Sequence, residues 1–288
     1  MGSLDGYATL VTGGGSGIGF GCAQALLADG ADVTICGRTE SRLSEAVGRL
    51  EKLAAESGGR VAAIVADVTD EDDVAAAVAK AAEPADGKLH ALVNSAGGSR
   101  HMGPLHMADV AVVRETLDLN AVGTFLTIKH SAPRMAAAGG GSYVSISSHA
   151  GRDTFRFLGI YGAAKAAMDF LVRVAADELG PSRIRFNSVL PGGIATEIME
   201  GVTAGGPVLD SYHRQTPLWR FGTVEDVSAL VRFLVGPESQ WISGQLFSVD
   251  GGQSVRGSAD FSAFARMAYG EDPLWQMLEE QAHAEGDV

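Results

Sequence analysis

The sequence contains little cysteine and little positive charge. Cys22 and Cys36 are its only cysteines, which is too few for a disulfide framework, and their spacing matches no C-x-x-C metal motif. Lys and Arg number 22 against 35 Asp and Glu, which gives a formal net charge of −13. Affinity for nucleic acid and for anionic membrane surfaces depends on clustered Lys and Arg. We therefore expect neither a nucleic-acid nor a membrane partner.

Long apolar runs are also missing. None is long enough to span a bilayer, and Met1–Gly6 has neither the basic segment nor the apolar core of a secretion signal. Together with the scarcity of cysteine, this predicts a cytoplasmic protein.

The sequence does contain short β-branched runs that alternate with longer Ala- and Leu-rich stretches at helical spacing. This alternation is typical of strand–helix–strand crossovers, and hence of a parallel sheet. The predicted strands are Ala8–Thr12, Asp32–Cys36, Val61–Ala66, Ala91–Asn94, Ser142–Ser147, Arg185–Leu190 and Gln245–Val249. We predict an α/β fold: a Rossmann-type, doubly wound, parallel seven-stranded sheet with helices on both faces, in a single domain.

Three shorter segments carry local signals. Thr223 is followed three residues later by Asp226, which predicts a helix N-terminus with a capping box. Gly139–Gly141 is predicted to be a turn between a helix and a strand, and Gly201–Pro207 a mobile loop.

A glycine cluster follows the first predicted strand directly. Thr12–Gly19 has the spacing G-x-x-x-G-x-G and precedes an apolar helical pattern. A pyrophosphate needs backbone N–H groups at close range and a helix N-terminus, and side chains would hold it away. The alternative is an ordinary Gly-rich turn. The residues expected to contact a dinucleotide here are Gly13, Gly15, Ser16, Gly17, Ile18 and Gly19.

With this glycine cluster and the motifs that follow it, the sequence resembles the short-chain dehydrogenase/reductase family over roughly residues 4 to 252. The motifs that carry the resemblance are Asp67-Val68-Thr69, Asn94-Ser95-Ala96-Gly97, Asn120 within Leu119–Gly123, Ser148, Tyr161-Gly-Ala-Ala-Lys165 and Pro191-Gly192-Gly193-Ile194-Ala195-Thr196. One departure is Ser95, where the family usually has a second Asn. The resemblance implies a hydride transfer between a nicotinamide cofactor and a carbonyl or alcohol carbon.

The same resemblance implies a cofactor site and a domain organisation. The implied cofactor residues beyond the glycine cluster are Asp67 (adenine), Val68, Asn94, Ala96, Gly97, Tyr161, Lys165 (ribose), Pro191, Gly192, Ile194 and Thr196. Residues 1–252 would form the dinucleotide-binding oxidoreductase domain, and residues 196–222 its substrate lid. The family commonly forms homotetramers, so we expect self-association.

Four residues of these motifs can carry the chemistry. Tyr161 and Lys165 are four apart in a helical pattern, so their side chains share one face. A cation within about 4–6 Å favours phenolate, and we expect Lys165 to lower the pKa of Tyr161. Ser148 could hydrogen-bond the substrate oxygen and stabilise developing alkoxide charge. By resemblance, Asn120 holds a water that relays protons.

The residues after the second strand bear on cofactor choice. Gly37 stands where relatives that prefer NAD carry an acid, and Arg38 follows it. A guanidinium can clamp a 2′-phosphate, so NADP(H) is favoured, with NAD(H) possible. Alternatively, Arg38 stacks on adenine or caps the loop.

Other readings of the sequence are weaker. Ser148-His149 suggests a hydrolase, but the chain contains no G-x-S-x-G elbow. His101 and His106 lack a third ligand, so we expect no metal site. Two functional alternatives remain open: a catalytically idle dinucleotide sensor that binds a partner, and an enoyl reductase. The substrate itself is expected to be a small or acyl carbonyl or alcohol compound of apolar character.

The chain continues for 36 residues after Gly252. Phe261, Phe264, Ala265 and Ala268 fall at i, i+3, i+4 and i+7, an apolar helical face, and Trp275 follows after Pro273. Such a face should be buried. We expect Phe261–Leu278, within the extension 253–288, to pack on a neighbouring subunit or over the pocket mouth. Glu279–Val288 is expected to be disordered.

Overall fold

The computed structural model describes residues 2–256 and 261–270. Seven strands form one parallel sheet in the order β3-β2-β1-β4-β5-β6-β7. The strands are β1 Ala8–Thr12, β2 Asp32–Gly37, β3 Val61–Val65, β4 Ala91–Asn94, β5 Gly141–Ile146, β6 Ile184–Pro191 and β7 Leu246–Val249. Each lies within one residue of its predicted bounds at both ends. The predicted doubly wound sheet is confirmed.

Helices cover both faces of the sheet. They are α1 Gly17–Ala28, α2 Glu40–Ser57, α3 Glu71–Ala82, α4 Val110–Leu117, α5 Gly123–Ala137, α6 Gly159–Leu179, α7 Glu200–Thr203, α8 Pro207–Gln215, α9 Val224–Val235 and α10 Ser262–Tyr269. One apolar cluster joins the strands to α1, α2 and α9, with Leu26 and Val231 fully buried. A second joins the other face to α3, α5 and α6, with Val78 and Met135 fully buried. The strands are apolar along their length because both faces are covered.

Two local predictions have opposite outcomes. The capping box at the start of α9 is confirmed, because the Thr223 side chain accepts from the Asp226 N–H and the Asp226 side chain accepts from the Thr223 N–H. The predicted loop at Gly201–Pro207 is wrong. Its first part belongs to α7, and Pro207 opens α8, where its fixed φ suits the first helical position. Only a short turn with Gly205 and Gly206 at positive φ separates the two helices.

The carboxyl ends of all seven strands lie at one edge of the sheet. The chain order reverses between β1 and β4, which both flank the central crevice. In open α/β sheets, ligands bind at such a reversal. The predicted site residues follow β1 to β6 at this edge.

Two features of the remaining chain bear on cellular context. No helix in the described part of the chain is long and apolar enough to cross a membrane. Cys22 and Cys36 are both buried free thiols.

In the extension, Phe261, directly before α10, and Phe264 and Met267 within α10 are exposed on this single chain. The predictions for residues 271–288 lie outside the described residues.

Candidate active site

In the glycine loop between β1 and α1, backbone conformation or close packing disfavours side chains at Gly13, Gly17 and Gly19. Gly13 and Gly17 have φ values of +65° and +51°, which L side chains rarely adopt. A Cβ on Gly19 would collide with the carbonyl oxygen of Gly13, and one on Gly13 would lie 3.0 Å from the Ala96 nitrogen. Ser16 makes no side-chain cap. Backbone N–H groups at the start of α1 can therefore approach an anion closely, so the loop fits a dinucleotide pyrophosphate.

Two cations, Arg38 and Arg42, follow β2 beside this loop. The Arg38 guanidinium is 3.9 Å from Asp67 Oδ2, and both side chains are partly exposed. Asp67 Oδ1 accepts hydrogen bonds from the N–H and hydroxyl of Thr69. Arg42 was missed by the sequence reasoning: its Cβ lies 3.5 Å from the position of a Cβ on Gly15. Its place one turn after Arg38, in the first turn of α2, was the available signal.

A buried polar network fixes the end of β4. Asn94 is 1% exposed; its Oδ1 accepts from the Thr12 hydroxyl at 3.0 Å and its Nδ2 donates to the Thr124 hydroxyl at 2.9 Å. The backbone nitrogens of Ser95 and Ala96 both donate to Thr12 Oγ1. These bonds tie β4 to β1 and α5, and they set the path of the segment that continues through Gly97.

Gly97 lies where two functional side chains converge. A Cβ on Gly97 would lie 2.8 Å from Asn120 Oδ1 and 2.8 Å from Lys165 Nζ. Asn120 belongs to the π-helical turn Asp118–Val122 between α4 and α5. Its Nδ2 donates to the carbonyls of Gly98 and Thr116 at 2.8 Å each. Such π turns often occur at functional sites, because they re-aim one side chain.

The structure brings Ser148, Tyr161 and Lys165 together at the β5 edge. Ser148 caps the short turn after β5 and accepts from the Ala150 N–H at 3.2 Å. Tyr161 is in the first turn of α6 and hydrogen-bonds Ser148. Lys165 is 3% exposed, donates to the Ile146 carbonyl at 2.8 Å, and has its Nζ 5.8 Å from the Tyr161 ring centroid. A hydroxyl that can hydrogen-bond a substrate oxygen, a phenol and a cation thus lie close together.

The expected lowering of the Tyr161 pKa is wrong for this structure. Burial raises the pKa of Tyr161, and the Ser148 hydrogen bond only partly opposes this effect. Burial also lowers the pKa of Lys165 from its ordinary 10.5 to about 8, with the Asp169 carboxylate acting in the opposite direction. The sequence shows the spacing of these groups but not their loss of hydration.

Asp169 is a charged neighbour that the sequence reasoning missed. It lies one helical turn beyond Lys165 on α6 and is 5% exposed. Burial raises its pKa, while the nearby hydroxyls of Ser188 and Ser147 and the Lys165 charge oppose the rise. Its i+4 spacing from Lys165, on the same face as Tyr161, was the signal in the sequence.

The segments after β6 close the other side of the site. The Gly192 N–H donates to the Val249 carbonyl at 2.9 Å, and Ile194 is 5% exposed. Thr196 lies beside the glycine loop, since its Cγ2 is 3.6 Å from the position of a Cβ on Gly17. Pro191 ends β6. On α8, Tyr212 packs against Phe221 with ring centroids 4.9 Å apart.

Comparison with known proteins agrees with this dinucleotide-binding architecture. The family model described as "Enoyl-(Acyl carrier protein) reductase" matches residues 13–254. A trans-4-hydroxycyclohexanecarboxylate dehydrogenase from Sinomonas cyclohexanicum is 37% identical over 251 residues, covering 85% of this chain and 92% of the relative. A short-chain type dehydrogenase/reductase from Mycobacterium ulcerans is 44% identical with a TM-score of 0.86, covering 94% of this chain and 98% of that one.

A third similar protein has its ligands described. It is a 7α-hydroxysteroid dehydrogenase complexed with NADH and 7-oxo glycochenodeoxycholic acid, 32% identical with a TM-score of 0.80, covering 86% of this chain and 94% of that one. The present chain belongs to the short-chain dehydrogenase/reductase family. It is an NAD(P)-dependent oxidoreductase that interconverts alcohols and carbonyl compounds.

The buried Lys165 predicts a pH dependence of folding. Its pKa is about 8 in the folded protein and 10.5 ordinarily, so between these pH values the unfolded chain binds more protons. Its contribution to the free energy of unfolding therefore rises with pH across this window, by up to ~3 kcal/mol. We expect the free energy of unfolding of the wild type, minus that of Lys165→Met, to increase between pH 8 and 10 in urea titrations.

The comparison with Lys165→Met is needed because other buried groups change the free energy of unfolding in the opposite direction as pH rises. Burial raises the pKa of Cys22 and Cys36 to about 12, so their contributions fall as pH rises above 9. They are common to both proteins and cancel. A flat difference curve would mean that Lys165 is hydrated in the folded state. In Asp169→Asn the rise should begin at a lower pH, because a negative charge near Lys165 is lost.

Proposed function

We propose that this chain is an NADP(H)-preferring reductase of apolar ketones, or dehydrogenase of the corresponding secondary alcohols, with Ser148, Tyr161, Lys165 and Asn120 as its catalytic group. The observation that carries the proposal is the convergence of three polar groups of these side chains: the Ser148–Tyr161 hydrogen bond, with Lys165 Nζ one helical turn away. A bound nicotinamide dinucleotide would supply or accept the hydride. The remaining steps belong to this chain.

Each of these side chains has a distinct task in ketone reduction. The Ser148 hydroxyl donates a hydrogen bond to the substrate oxygen and stabilises its developing negative charge. Tyr161 delivers its phenol proton to that oxygen. The Lys165 ammonium offsets the charge that the phenol leaves behind, and it would also hold the cofactor ribose. Tyr161 is reprotonated from solvent, through a water held by Asn120 and then through Lys165, because Asn120 Oδ1 faces the same space beside Gly97 as Lys165 Nζ.

Cofactor binding is assigned to the edge of the sheet from β1 to β4. The glycine loop holds the pyrophosphate, while Asp67, Val68 and Asn94 line the adenosine and nicotinamide sides. Gly37 carries no acid that would repel a 2′-phosphate, and Arg38 and Arg42 both lie on that side. Two guanidinium groups on this side favour NADP(H).

Apolar side chains around the site support an apolar substrate. They come from three segments that follow strands at the site edge: 98–109, 149–158 and 196–222. The large exposed members are Met102, Leu105, Met107, Phe157, Ile198, Val208 and Leu218. The first two segments are joined by the Gly103 N–H, which donates to the Phe157 carbonyl at 3.0 Å. Large exposed apolar groups at a cleft mark a binding surface.

The proposal is tested by NADPH oxidation over a panel of carbonyl compounds. Because two relatives act on alicyclic alcohols or steroids, the panel starts with cyclohexanones and 7-oxosteroids, then adds 3-oxoacyl thioesters and quinones. We expect turnover of at least one apolar ketone. Tight NADPH binding with no turnover of any compound would instead support an idle dinucleotide sensor.

Enoyl reduction is the second candidate, because the matching family model carries that description. A Ser148–Tyr161 pair that hydrogen-bonds one oxygen suits a C–O centre better than a C=C bond. Adding a trans-2-enoyl thioester to the panel separates the two. Turnover of the enoyl compound alone would replace the proposal.

The extension and the oligomeric state form a separate part of the proposal. Arg256 donates from Nη1 to the Arg214 carbonyl of α8 at 2.9 Å, so the extension starts against the lid. Beyond it, Phe261 and Phe264 pair with centroids 6.3 Å apart, yet both are 68% exposed on the single chain. We infer a cytoplasmic homotetramer in which this pair is covered by a neighbouring subunit or closes the pocket mouth.

Truncation after Gly257 tests the role of the extension. We expect the shortened chain to lose tetramer in sizing chromatography, or to show a changed KM for bulky ketones, because the aromatic cover is removed. Phe261→Ser with Phe264→Ser is the matched variant of full length. If truncated and wild-type chains share the same size, the same stability and the same KM for every substrate, the extension has no such role.

A further inference from the structure

A buried imidazole directly follows the proposed catalytic serine. His149 is 4% exposed, and its ring packs edge-on against Phe155 with centroids 5.4 Å apart. Its Nε2 lies 2.6 Å from Asp153 Oδ2 and 3.7 Å from Asp250 Oδ2. Neither ring nitrogen has an aligned hydrogen-bond partner among the described residues. Burying a polar group without such partners costs free energy.

The Asp250 carboxylate is held firmly in the turn after β7. Its oxygens accept from the backbone N–H groups of Gly252 and Ser254 at 3.0 Å each, and the side chain is 7% exposed. Burial raises the pKa of Asp250, but these bonds and the His149 charge outweigh burial and hold the pKa below its ordinary value. Asp250 is therefore a fixed anion against which the His149 ring can be oriented.

A second contact joins the same two segments. Arg152 donates to the Ser248 hydroxyl at 3.0 Å, and it also donates to Asp153 Oδ2 at 3.2 Å. The segment 148–153, which begins with Ser148, is thus attached to the end of β7 by the contact between His149 and Asp250 and by one hydrogen bond. On α6, Lys165 packs against this segment at Gly151, and Tyr161 lies near Ser148.

The turn after β7 is in turn attached to the lid and to the Pro191-Gly192 loop. The Leu218 N–H donates to the Gly251 carbonyl at 3.1 Å. A Cβ on Gly192 would lie 2.9 Å from the Asp250 Cα, so the two backbones pack directly. Asp250 therefore lies between the proposed nicotinamide loop, the base of the lid and His149.

We propose that His149 is a positioning residue which, through its contact with the Asp250 carboxylate, links the placement of the Ser148 hydroxyl to the base of the substrate lid. A displacement of the lid base moves the Asp250 turn, and the imidazole transmits that movement to the residue beside it in the chain. When the lid segment is seated, Ser148 is held against Tyr161. A misplacement of about 1 Å at a reacting group can cost on the order of 100-fold in rate. This inference rests on the proposed function.

The test compares kinetics and cofactor affinity in two variants of one residue. In His149→Leu, we expect kcat for a ketone to fall by about tenfold or more, while the Kd of NADPH, measured by fluorescence, changes less than about twofold. His149→Gln keeps an N–H donor near the position of Nε2, and we expect it to retain most of the wild-type kcat. A role in folding alone would lower active fraction and melting temperature together, leaving kcat per folded molecule unchanged in both variants.

The contact between His149 and Asp250 is tested by a double-mutant cycle that includes Asp250→Asn. If the two residues act as a unit, combining Asp250→Asn with His149→Leu lowers kcat no further than the more severe single change. Strictly multiplicative losses would overturn the link. Wild-type kcat in His149→Leu would also overturn it. If His149→Leu does not fold, the cycle is run with His149→Phe, which keeps an aromatic ring but removes both ring nitrogens. Absence of turnover in the wild type would refute the proposed function instead.

Discussion

Replacing Tyr161 by phenylalanine should remove turnover and leave cofactor binding intact. The ring keeps its place in the first turn of α6, but the phenol proton that reaches the substrate oxygen is lost. Positioned acid–base groups contribute about 10²–10⁴-fold to rate, and here no other phenol forms a hydrogen bond with Ser148 among the described residues. We expect kcat to fall by at least that factor, with the NADPH Kd unchanged within about twofold.

Lys165 supplies the contrast to this variant. Lys165→Met replaces a buried cation with an uncharged side chain of similar length. In the proposed site, that cation serves both the phenol and the ribose. Both kcat and NADPH affinity should therefore fall. If Tyr161→Phe kept most of its activity, another group would be the acid, and the proposed mechanism would be refuted. If Lys165→Met lowered kcat alone, only its ribose contact would be removed from the proposal.

Replacing Arg38 by alanine should weaken the binding of NADPH and leave the binding of NADH nearly unchanged. The guanidinium is 3.9 Å from Asp67, a long contact that leaves it able to pair with a 2′-phosphate, and its side chain is 62% exposed. Loss of a charge-assisted contact corresponds to about 1.5–3 kcal/mol, or roughly a 10- to 150-fold rise in the Kd of NADPH. Titration of Arg38→Ala with both cofactors measures the effect. Arg42→Ala should act in the same direction.

Lys52→Ala is the matched control for these two variants. It removes one positive charge from α2, the helix that carries Arg42, at a side chain that is 88% exposed and paired with Glu56 at 3.8 Å. Because salt screens such a distant surface charge, its removal should change the Kd of either cofactor very little. Equal weakening of NADPH and NADH in Arg38→Ala would show that Arg38 stacks on the adenine, the alternative that the sequence left open.

Most of the fold could be predicted from sequence because hydrophobic periodicity and turn chemistry are local. The strand bounds followed from β-branched runs, and the start of α9 from the Thr223 and Asp226 pair. The loop at Gly201–Pro207 was predicted wrongly because a one-turn helix such as α7 has no periodic pattern, and its glycines were taken for flexibility. Short helices are set by their contacts and caps more than by composition.

The candidate site could be predicted in its membership but not in its electrostatics. Motif spacing placed Ser148, Tyr161 and Lys165 in one group, because the carboxyl ends of parallel strands share an edge. The direction of the Tyr161 pKa could not be predicted, because it depends on how much water the fold removes from the phenol. Arg42 and Asp250 were missed for a related reason. Each matters through a neighbour that is distant in sequence.

The proposed lid is built in a way that would let substrate range evolve separately from stability. Within the described chain, neither α7 nor α8 contributes a fully buried residue to the core. Gly205 and Gly206, with no neighbour near the position of a Cβ, join the two helices. Substitutions at such half-exposed positions usually change the free energy of unfolding by less than about 0.5 kcal/mol. Descendants of this gene could therefore exchange lid side chains, and so acquire new substrates, without compensating mutations in the sheet.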